Sequence, residues 1–476
     1  MATITEARET SATFPQRPLP VVPLHAARAP GWWRDAVGVG AWLSMLVVVA
    51  LWISGGGIQS LGTVAGAFTS LGRLTGLVSA DLLLIQVLLM ARIPMVERAY
   101  GQDALARRHR LVGFWSFNLM VAHLVAIVVG YALAANLNPF VQFWEMVVDY
   151  PGMLLALAGT LLLILVTVTS IRKARKKLRY ESWHLLHLYA YLGVGLAIPH
   201  QLWTGQEFLS STFATVYWWG LWIAAVAAIA IWRVGVPLYR TFAHDLRVTA
   251  VVRESPDVVS VSMRGRNLLA MPIAAGQFFN WRFLGGPGWS RSHPYSLSAA
   301  PTSDTLRITV KDLGDGSHAL AALKPGSRVV IEGPYGRLHA GVRTRRKVTL
   351  MASGIGISPL RALLEELPAE PGEVTLLYRA RSQADLVLRA EIEELAARTG
   401  ARVYYLVGRR VPGRPSWLPE GAAHLTDAAA LARLVPDIAG NDVFLCGADE
   451  WMDAARRAAI ECGVPTAHIH DERFSW

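Results

Sequence analysis

Cysteine is scarce in this sequence. The 476 residues include only two, Cys446 and Cys462, and neither belongs to a C-x-x-C pattern. An iron–sulfur cluster needs four ligands, so these two thiols cannot hold one. A structural disulfide is not expected either, because both cysteines fall in a part of the chain that the sequence indicates is cytosolic. No EF-hand string is present, which argues against calcium control.

Charged residues are also few. They make up 17% of the chain against 53% hydrophobic residues, which is too apolar for an ordinary soluble enzyme and indicates membrane spans. The net charge of +11 could suggest a nucleic-acid partner. The basic residues mostly flank apolar runs, however, so the retention of positive charge on the cytosolic side of a membrane explains them better. A lipid bilayer, and no nucleic acid, is the expected partner.

Six apolar segments near the length that a bilayer requires lie in the first half of the chain. They cover residues 36–56, 74–95, 109–133, 150–170, 183–203 and 213–234. Residues 56–73 are rich in Gly, Ser and Thr and are interpreted as an outer loop. The first 30 residues have no apolar core and no cleavage signature, so residues 1–34 are predicted to be a flexible cytosolic tail rather than a signal peptide.

The loops between these segments differ in charge. Between the third and fourth segments, and after the fifth, there is no Lys or Arg. The loops after the second and fourth segments carry the basic residues Arg98, Arg107, Arg108, Arg110, Arg172, Lys173, Arg175, Lys176, Lys177 and Arg179. Lys and Arg therefore fall on alternate loops, which predicts a multi-pass cell-membrane protein with both termini in the cytosol.

Two of the apolar segments carry paired histidines. His109 and His123 lie fourteen residues apart on the third segment, so both imidazoles point to nearly the same face of a helix, about 21 Å apart. The fifth segment carries His187 and His200, thirteen residues apart. Neutral imidazole is a good axial ligand for haem iron. Two helices with histidines at matching depths therefore predict two stacked b-type haems, each bound by one imidazole from either side.

The direction of the segments sets the pairs, although alternatives stay open. Both segments run from inside to outside, which pairs His109 with His187 and His123 with His200. Thirteen residues of straight helix turn the second imidazole by roughly 140° from the first, and Pro199 would permit a kink that restores the alignment. His184 competes with His187 as the ligand. The four histidines could instead be interfacial or hydrogen-bonded, as intramembrane Asp81 could be.

The second half of the chain has a different sequence pattern. Short β-type runs at 247–252, 258–263 and 306–310 predict a small antiparallel barrel. From Arg346 onward, strands at 347–352, 374–379, 402–407 and 442–446 alternate with helices at 358–367, 389–398 and 450–462, which predicts an open α/β domain. The expected organisation is a six-helix haem domain at 35–240, a β-barrel at 241–340 and an α/β nucleotide-binding domain at 341–476.

Residues 291–298 read RSHPYSLS and form the most specific string in the chain. The string resembles the flavin signature of the ferredoxin-reductase superfamily, in the His-Pro-aromatic-Ser form of its transmembrane branch, the ferric reductases and NADPH oxidases. The resemblance implies that Tyr295 and Ser296, which follow Pro294, contact the isoalloxazine and ribityl region, and that His293 approaches the flavin phosphates. FAD is therefore an expected cofactor. The alternative is an ordinary proline-containing turn.

Further glycine-rich strings fit the same resemblance. Residues 311–317 read KDLGDGS, and residues 333–336 read GPYG. Glycines let the backbone approach a pyrophosphate closely, with amide and hydroxyl groups as donors. The cofactor-binding residues predicted here are Lys311, Gly314, Gly316 and Ser317, with Gly276 and Gln277 of a GQF string that matches the family's barrel edge.

A strand ending near Ala352 is followed by SGIGISP at 353–359 and a predicted helix. A glycine-rich turn at a helix N-terminus is an anion site for a dinucleotide pyrophosphate, and the trailing Ser-Pro matches the family. Gly354, Gly356 and Pro359 are therefore predicted to bind NAD(P)H. Arg379 and Arg381 follow the next strand without an acidic residue, which favours NADPH over NADH. A solvated loop is the alternative.

Near the C-terminus, residues 444–448 read FLCGA and resemble the family's Cys-Gly-Pro motif beside the nicotinamide, with Ala in place of Pro. The resemblance implies that Cys446 lines the hydride-transfer site and that Gly447 contacts the cofactor, while a buried, inert Cys446 is the alternative. In this family a terminal aromatic residue covers the flavin. The resemblance assigns that role to Trp476, with Phe474 next.

The resemblance runs from about residue 36 to the C-terminus and implies an enzyme. It predicts a transmembrane oxidoreductase that passes electrons from NADPH or NADH through FAD and two haems to an outer acceptor, either oxygen, giving superoxide, or a ferric chelate. The alternative is an electron-transfer subunit that reduces a dedicated protein or quinone partner. A membrane sensor without haem is a further alternative.

Overall fold

A computed structural model describes residues 4–6, 32–175, 177–178, 180–205, 211–285 and 291–473. The chain divides into two compact units. One consists of Pro30–Tyr100 and Ala104–Val234 and is built from helices. The other consists of Met1–Ala29, Gly101–Asp103 and Gly235–Trp476 and contains the two β-sheets.

Long helices dominate the first unit. In chain order they are α1 (Trp32–Ser54), α2 (Val64–Met90), α3 (Pro94–Tyr100), α4 (Gln102–Ala135), α5 (Pro139–Asp149), α6 (Met153–Ser170), α7 (Arg172–Arg175), α8 (Tyr180–Thr204) and α9 (Thr212–Ala228). A π-helical stretch, Ile229–Gly235, follows α9. Helices therefore stand at all six predicted span positions.

Within the part of the chain that the structure describes, five helical segments are long and apolar enough to cross a bilayer. They are Trp32–Ser54, Val64–Met90, Ala104–Ala135, Met153–Ser170 and Thr212–His244. Helix α8 has 25 residues, which is long enough, but it falls outside this group. Its histidines, with Gln201 and the tyrosines, lower its mean hydropathy.

Helix α2 begins at Val64 rather than at residue 74, so the interpretation of residues 64–73 as loop was wrong. The hydroxyl oxygen of Thr63 caps the new start by accepting from the backbone N–H of Gly66. Ser70 is buried and donates to the carbonyl of Gly57 at 2.6 Å. Small and hydroxylic residues in a membrane helix serve close helix packing, and this composition is the reason the segment reads as a loop.

The loop between the third and fourth predicted spans contains an amphipathic helix, α5, that the sequence interpretation missed. Its buried residues include Met146 and Val147, whereas Phe140, Trp144 and Val148 are largely exposed. Apolar side chains on an exposed face, with an aromatic ring among them, are typical of a helix that lies in the membrane interface.

Asp81 of α2 bonds neighbouring helices, as the simpler interpretation of this residue expects. The Ser44 hydroxyl of α1 donates to Oδ1 of Asp81 at 2.6 Å, and the Tyr217 hydroxyl of α9 lies 3.3 Å from the same oxygen. Ser44 and Tyr217 are themselves 2.7 Å apart. The three groups tie α1, α2 and α9 together inside the helical unit.

The second unit contains an antiparallel sheet of β2 (Arg247–Ser255), β3 (Val258–Arg264), β4 (Phe278–Leu284), β5 (His293–Ser296), β6 (Thr305–Lys311) and β7 (Arg328–Tyr335). Helices α10 (Val236–His244) and α11 (Asp315–His318) belong to the same part of the chain. The strand order is β5-β4-β7-β2-β3-β6. A bridge between Leu297 and Ile308 links the ends of the order, and buried residues such as Phe279 and Trp281 fill the interior.

The remaining sheet consists of β8 (Val348–Ser353), β9 (Val374–Ala380), β10 (Arg402–Val407), β11 (Asp442–Cys446) and β12 (Ile469–Asp471), all parallel, with a short β1 (Ile4–Glu6). The order is β1-β10-β9-β8-β11-β12. Helices α12 (Ile357–Glu366), α13 (Arg389–Thr399), α14 (Asp427–Leu434) and α15 (Asp449–Glu461) cover it. Every residue of β9 is buried, as expected for a strand covered on both faces.

Strand β1 lies in the segment predicted to be a flexible tail. Ile4, Thr5 and Glu6 pair antiparallel with Leu406, Tyr405 and Tyr404 at the edge of the parallel sheet. Three residues without an apolar pattern give no strand signal on their own, because the partner strand supplies the hydrogen bonds. Residues 7–31 of the predicted tail lie outside the described residues.

Asp442, the first residue of β11, is fully buried and holds the segment that precedes β8. Its carboxylate accepts from the backbone N–H groups of Thr344 and Arg345 at 2.5 and 2.6 Å, and from Nε2 of His470 at 3.0 Å. Burial alone would raise the pKa of this carboxyl, but the hydrogen bonds, that of His470 foremost, lower it well below its usual range. The carboxylate therefore stays charged in the folded protein.

Replacement of Asp442 by Ala should lower the free energy of unfolding by about 3 kcal/mol at pH 7, because buried N–H donors lose their acceptor. A carboxylate with a lowered pKa contributes stability above its unfolded pKa of about 4, and the contribution is lost as the pH falls through the lowered value. Thermal unfolding of both proteins should therefore differ at neutral pH and converge in strong acid. Asp437→Ala is the matched control, since Asp437 forms an exposed pair with Lys347. An equal loss in both variants would contradict the prediction.

Candidate functional site

Both histidines of α4 are hydrogen-bonded to backbone carbonyls of α2. Nδ1 of His123 lies 2.8 Å from the carbonyl oxygen of Gly72, and Nδ1 of His109 lies 3.2 Å from that of Gln86. A carbonyl can only accept, so Nδ1 carries the proton in both rings. The other ring nitrogen, Nε2, keeps its lone pair, which is the arrangement of metal-ligating histidines.

Helices α2 and α4 are antiparallel and meet at intervals of seven residues. The Ser79 hydroxyl donates to the carbonyl of Ser116 at 2.7 Å, midway between the two histidine contacts. Seven residues are about two helical turns, so the same two faces stay in contact along the helices. Gly76 permits the close approach, because a Cβ there would lie 2.5 Å from Nδ1 of His123.

The histidines of α8 meet those of α4 in the predicted pairs. The ring centres of His109 and His187 lie 6.0 Å apart, with their planes inclined by 64°. His123 and His200 line one cavity of about 510 Å³. Two metal–nitrogen bonds of about 2 Å each fit between rings at the distance seen for the first pair.

The cavity that His123 and His200 share has mainly apolar walls, contributed by α2, α4, α5, α6 and α8. Arg73 is the charged side chain in the lining. Nδ1 of His200 is buried and has no hydrogen-bond partner among the residues that the structure describes. An apolar cavity with two facing imidazoles fits a porphyrin and its iron, because imidazole nitrogen is the donor that such iron takes.

Close glycine contacts position His200. Pro199 lies inside the continuous helix α8. A Cβ on Gly152 would lie 2.8 Å from the backbone nitrogen of His200, so the chain before α6 packs directly on this turn. Farther along, a Cβ on Gly159 would lie 2.5 Å from the carbonyl oxygen of Gly193. Helices α6 and α8 therefore approach each other at backbone distance.

The predicted flavin residues His293 and Tyr295 lie on one face of β5. Their ring centres are 5.9 Å apart and nearly parallel. Burial raises the pKa of Tyr295 above its usual range, so the phenol is neutral. A Cβ on Gly316 would lie 2.3 Å from Cε1 of His293. The structure therefore brings the HPYS string and the KDLGDGS turn together, with Pro294 and Ser296 in the same strand.

The side chains of Ser317 and Lys311, in the KDLGDGS turn, form hydrogen bonds and an ion pair within the protein. The Ser317 hydroxyl oxygen accepts from the N–H groups of Leu313 and Gly314 at 2.8 and 3.1 Å. Lys311 pairs with Asp257 at 3.0 Å. Ser317 therefore stabilises the turn. The sequence predicts that its hydroxyl is a free hydrogen-bond donor, whereas in the structure this hydroxyl is bonded within the turn.

Other residues of the flavin motif fall into two groups. Ser296 Oγ is buried and has no hydrogen-bond partner in the described part of the chain, so a hydroxyl is available to a flavin. Gly276 and Gln277 instead hold a neighbouring loop. Gly276 has φ +84°, and a Cβ there would lie 2.2 Å from the carbonyl oxygen of Leu338, while the Gln277 amide donates to the carbonyl of Gly336 at 3.4 Å.

The glycine-rich turn after β8 packs against the Cys446–Gly447 turn after β11. A Cβ on Gly356 would lie 2.2 Å from the carbonyl oxygen of Cys446, and one on Gly447 would lie 2.8 Å from Cβ of Ser353. Gly354 has φ +56°, and a Cβ there would meet nothing within 4 Å. Its open surface, beside the start of α12 that contains Pro359, fits the approach of a pyrophosphate to a helix N-terminus.

The thiol of Cys446 is neutral in this setting. Burial, and then the nearby carboxylate of Glu472, raise the pKa of Cys446 to about 12. Glu472 is itself buried, and a Cβ on Gly336 would lie 2.5 Å from its Oε2. The sequence interpretation missed Glu472, because a lone Glu near the C-terminus belongs to no motif and only the fold brings it to Cys446.

Arg379 and Arg381 differ in position. The buried Arg379 guanidinium donates to the carbonyls of Leu406 and Arg409 at 3.3 and 3.0 Å, which ties the ends of β9 and β10 together. Burial, and then the positive charges of Arg410 and Arg381, lower the pKa of Arg379 to about 10. Arg381, Arg409 and Arg410 are exposed around it. The sequence interpretation missed the last two, since they follow a different strand.

The predicted flavin-covering residues Phe474 and Trp476 lie outside the described residues, as do the basic residues Lys176 and Arg179 of the inner loop. Among the other predicted site residues, the structure places the four histidines in two groups within the helical unit and the cofactor motifs on the two sheets of the other unit.

Comparisons with known proteins agree with this division. Residues 75–198 match the family described as ferric reductase like transmembrane component, and residues 350–457 match the oxidoreductase NAD-binding domain. Over 239 residues the chain is 30% identical to ferredoxin--NADP reductase B of Sorangium cellulosum, covering 48% of this chain and 97% of that protein.

Longer relatives match over part of their length. The chain is 31% identical to the ferredoxin reductase component of 3-ketosteroid-9-alpha-monooxygenase from Mycolicibacterium smegmatis, over 48% of this chain and 65% of that protein. Among solved structures, the flavohem-like FAD/NAD-binding domain of nitric oxide dioxygenase from Vibrio cholerae is 25% identical over 48% of this chain and 98% of that one, with a TM-score of 0.38.

Residues 75–198 thus match a transmembrane family, and about half of the chain matches ferredoxin reductases. FAD- and NAD(P)-binding domains and an electron-transfer role follow from these matches. The predicted resemblance is confirmed: the chain belongs to the ferric reductase and NADPH oxidase family, with a ferric-reductase-like membrane domain fused to a ferredoxin-reductase-type module.

Proposed function

We propose that this protein is a multi-pass membrane oxidoreductase that moves electrons from cytosolic NAD(P)H, by way of FAD and two b-type haems, to oxygen or ferric iron on the outer side. The observation that carries the proposal is the pair of histidine groups between α4 and α8. One group has ring centres 6.0 Å apart, and the other lines a common cavity.

The haem ligands would be His109 with His187 and His123 with His200. The protonated Nδ1 atoms of His109 and His123 support this assignment, because each ring then offers Nε2 to a metal. The ring contact between His109 and His187 favours His187 over His184. In this assignment each pair would hold one iron through its imidazole nitrogens, and the bound haem would supply one-electron transfer.

A bound flavin supplies the conversion of the two-electron chemistry of NAD(P)H into the one-electron steps that haems carry. The chain's contribution is to bind and orient it. Tyr295 offers a neutral aromatic ring, Ser296 a hydroxyl and His293, against Gly316, a group beside the phosphates. Cys446 would line the hydride-transfer site as a protonated thiol, with Glu472 beside it.

The coenzyme would be NADPH. Arg381, Arg409 and Arg410 surround the end of β9 and β10, and Arg410 pairs with Glu450 at 3.3 Å on the surface. A 2′-phosphate would offset the repulsion among these guanidinium groups and accept bidentate hydrogen bonds from them. Arg379 would position this cluster rather than bind the phosphate, because carbonyls occupy its guanidinium.

The proposed topology has six spans with both termini in the cytosol. Five helical segments have the length and composition of spans, and α8 would be the sixth because it runs beside α6 at backbone distance. Basic residues on alternate loops support the cytosolic placement of the termini.

A second candidate function is an electron-transfer subunit that reduces a dedicated protein or quinone partner. The observation that favours it is the name of several relatives, which are ferredoxin reductase components of oxygenase systems. The chain covers 65% and 54% of two of these proteins, so a substantial part of each relative lies outside the match.

A reduced-minus-oxidised spectrum of the purified protein with NADPH tests the proposal most directly. Haem bands that develop with NADPH alone are expected, followed by reoxidation with oxygen or a ferric chelate. Reoxidation only after addition of a protein or quinone partner would favour the second candidate. A spectrum with flavin absorption and no haem band would refute the haem assignment.

His123→Leu should remove one of two haems, because leucine offers no lone pair to iron. Haem per protein, measured as the pyridine haemochrome, should fall by half while the other haem keeps its spectrum. His184→Leu is the matched control and should keep both haems. Loss of haem in the control with full haem in His123→Leu would contradict the ligand assignment.

Replacement of Arg381 or Arg409 by Ala should raise KM for NADPH by about tenfold or more, since one charged hydrogen bond contributes about 1.5–3 kcal/mol and each 1.4 kcal/mol is a factor of about ten. KM for NADH should change little, because NADH lacks the 2′-phosphate. The measurement is flavin reduction with each coenzyme. Arg398→Ala, an exposed residue in the last turn of α13, removes the same charge away from the site. Equal effects on both coenzymes would rule out a 2′-phosphate site here.

A further inference from the structure

The Ser170 hydroxyl, at the end of α6, lies between two nitrogen atoms of α8. Its Oγ is 3.3 Å from Nε1 of Trp183 and 3.3 Å from Nδ1 of His187. The indole nitrogen can only donate, so it uses one lone pair of the hydroxyl oxygen. Ser170 therefore joins a membrane-boundary tryptophan to a histidine that the proposed function assigns to the inner haem.

The proton on His187 follows from this geometry. If Nε2 faces the metal, Nδ1 carries the hydrogen and donates to Ser170. The hydroxyl oxygen then accepts from both His187 and Trp183, which fills its two lone pairs. Because His187 and Trp183 donate to the same oxygen, the hydrogen bond from each one weakens the hydrogen bond from the other.

Two groups contact the Trp183 ring. Its ring centre lies 5.1 Å from that of His187, with the planes inclined by 32°. Cζ of Arg175 lies 4.3 Å from the indole centre, within the range of a cation–π contact. Arg175 and His187 thus both pack against Trp183, which restricts the imidazole plane.

The environment of His187 differs from that of the other three histidines. The histidines of α4 donate to backbone carbonyls, which no side-chain substitution removes. Nδ1 of His200 has no hydrogen-bond partner among the described residues. Of the four histidines, His187 is the one for which the described structure shows a hydroxyl at Nδ1.

We propose that Ser170 and Trp183 are positioning residues that fix the tautomer and ring plane of His187 and thereby set the reduction potential of the haem it would bind. The inference rests on the proposed function. A stronger acceptor at Nδ1 makes imidazole a better donor to iron and favours the oxidised state. Loss of the acceptor has the opposite effect.

The two residues should therefore shift the potential in opposite directions. Ser170→Ala removes the acceptor of His187 and should raise one haem midpoint. Trp183→Phe keeps an aromatic ring next to Arg175 and His187 but releases one lone pair of Ser170, so the same midpoint should fall. Ser170→Thr keeps the hydroxyl and should restore the wild-type value. The other haem should be unchanged in all three.

The experiment is a potentiometric titration of both haems in the full-length protein, with electron paramagnetic resonance of the oxidised form to follow each ligand field. Thr169→Val is the matched control, because the Thr169 hydroxyl bonds carbonyls of its own helix, Leu165 at 2.8 Å and Val166 at 3.1 Å. It should leave both midpoints and both signals unchanged.

Outcomes separate this inference from the proposed function. A wild-type protein without haem overturns the proposed function. Two bound haems with no shift in Ser170→Ala, or equal shifts of both, overturn the inference alone. Loss of one haem in Ser170→Ala supports it if Ser170→Thr retains that haem, and contradicts it if both variants lose it.

Discussion

Hydrogen bonds from imidazole N–H groups to backbone carbonyls fix the register of α4 against α2. They require α2 and α4 to lie close along their whole contact, and Gly76 supplies the space beside His123. The cost of an unpaired polar group in hydrocarbon makes this register specific, since a shift of either helix would leave both ring nitrogens and the Ser79 hydroxyl without partners. The register of these two helices and the orientation of the histidine side chains therefore depend on the same hydrogen bonds.

Much of the helical unit could be predicted from the sequence, because spans follow from hydropathy and the histidine spacing follows from helix geometry. The start of α2 could not. A Gly- and Ser-rich stretch has the composition of a loop in water, whereas in a membrane it serves packing, and only the neighbouring helix distinguishes the two. The position of Ser170 beside His187 could not be predicted for a related reason. Its spacing to His187 carries no periodic signal, since the two residues lie on different helices.

In the other unit, strand and helix positions could be predicted closely, because buried parallel strands between amphipathic helices give a strong pattern. The roles of individual polar residues could not. Arg379 has the position of a phosphate ligand in the sequence, yet its guanidinium is used by carbonyls of the adjacent strand. Ser317 likewise bonds its own turn. A motif predicts the position of a residue in the fold, whereas competition from nearby backbone groups determines what its side chain binds.

The protonation state of the two cysteines determines how readily they are oxidised. Peroxide and related oxidants attack thiolates rather than thiols, so susceptibility to oxidation follows the thiolate fraction. Burial raises the pKa of Cys446 to about 12 and also raises that of Cys462. At neutral pH both side chains are almost entirely protonated. Both thiols are therefore poorly reactive toward oxidants, because little thiolate is present at neutral pH.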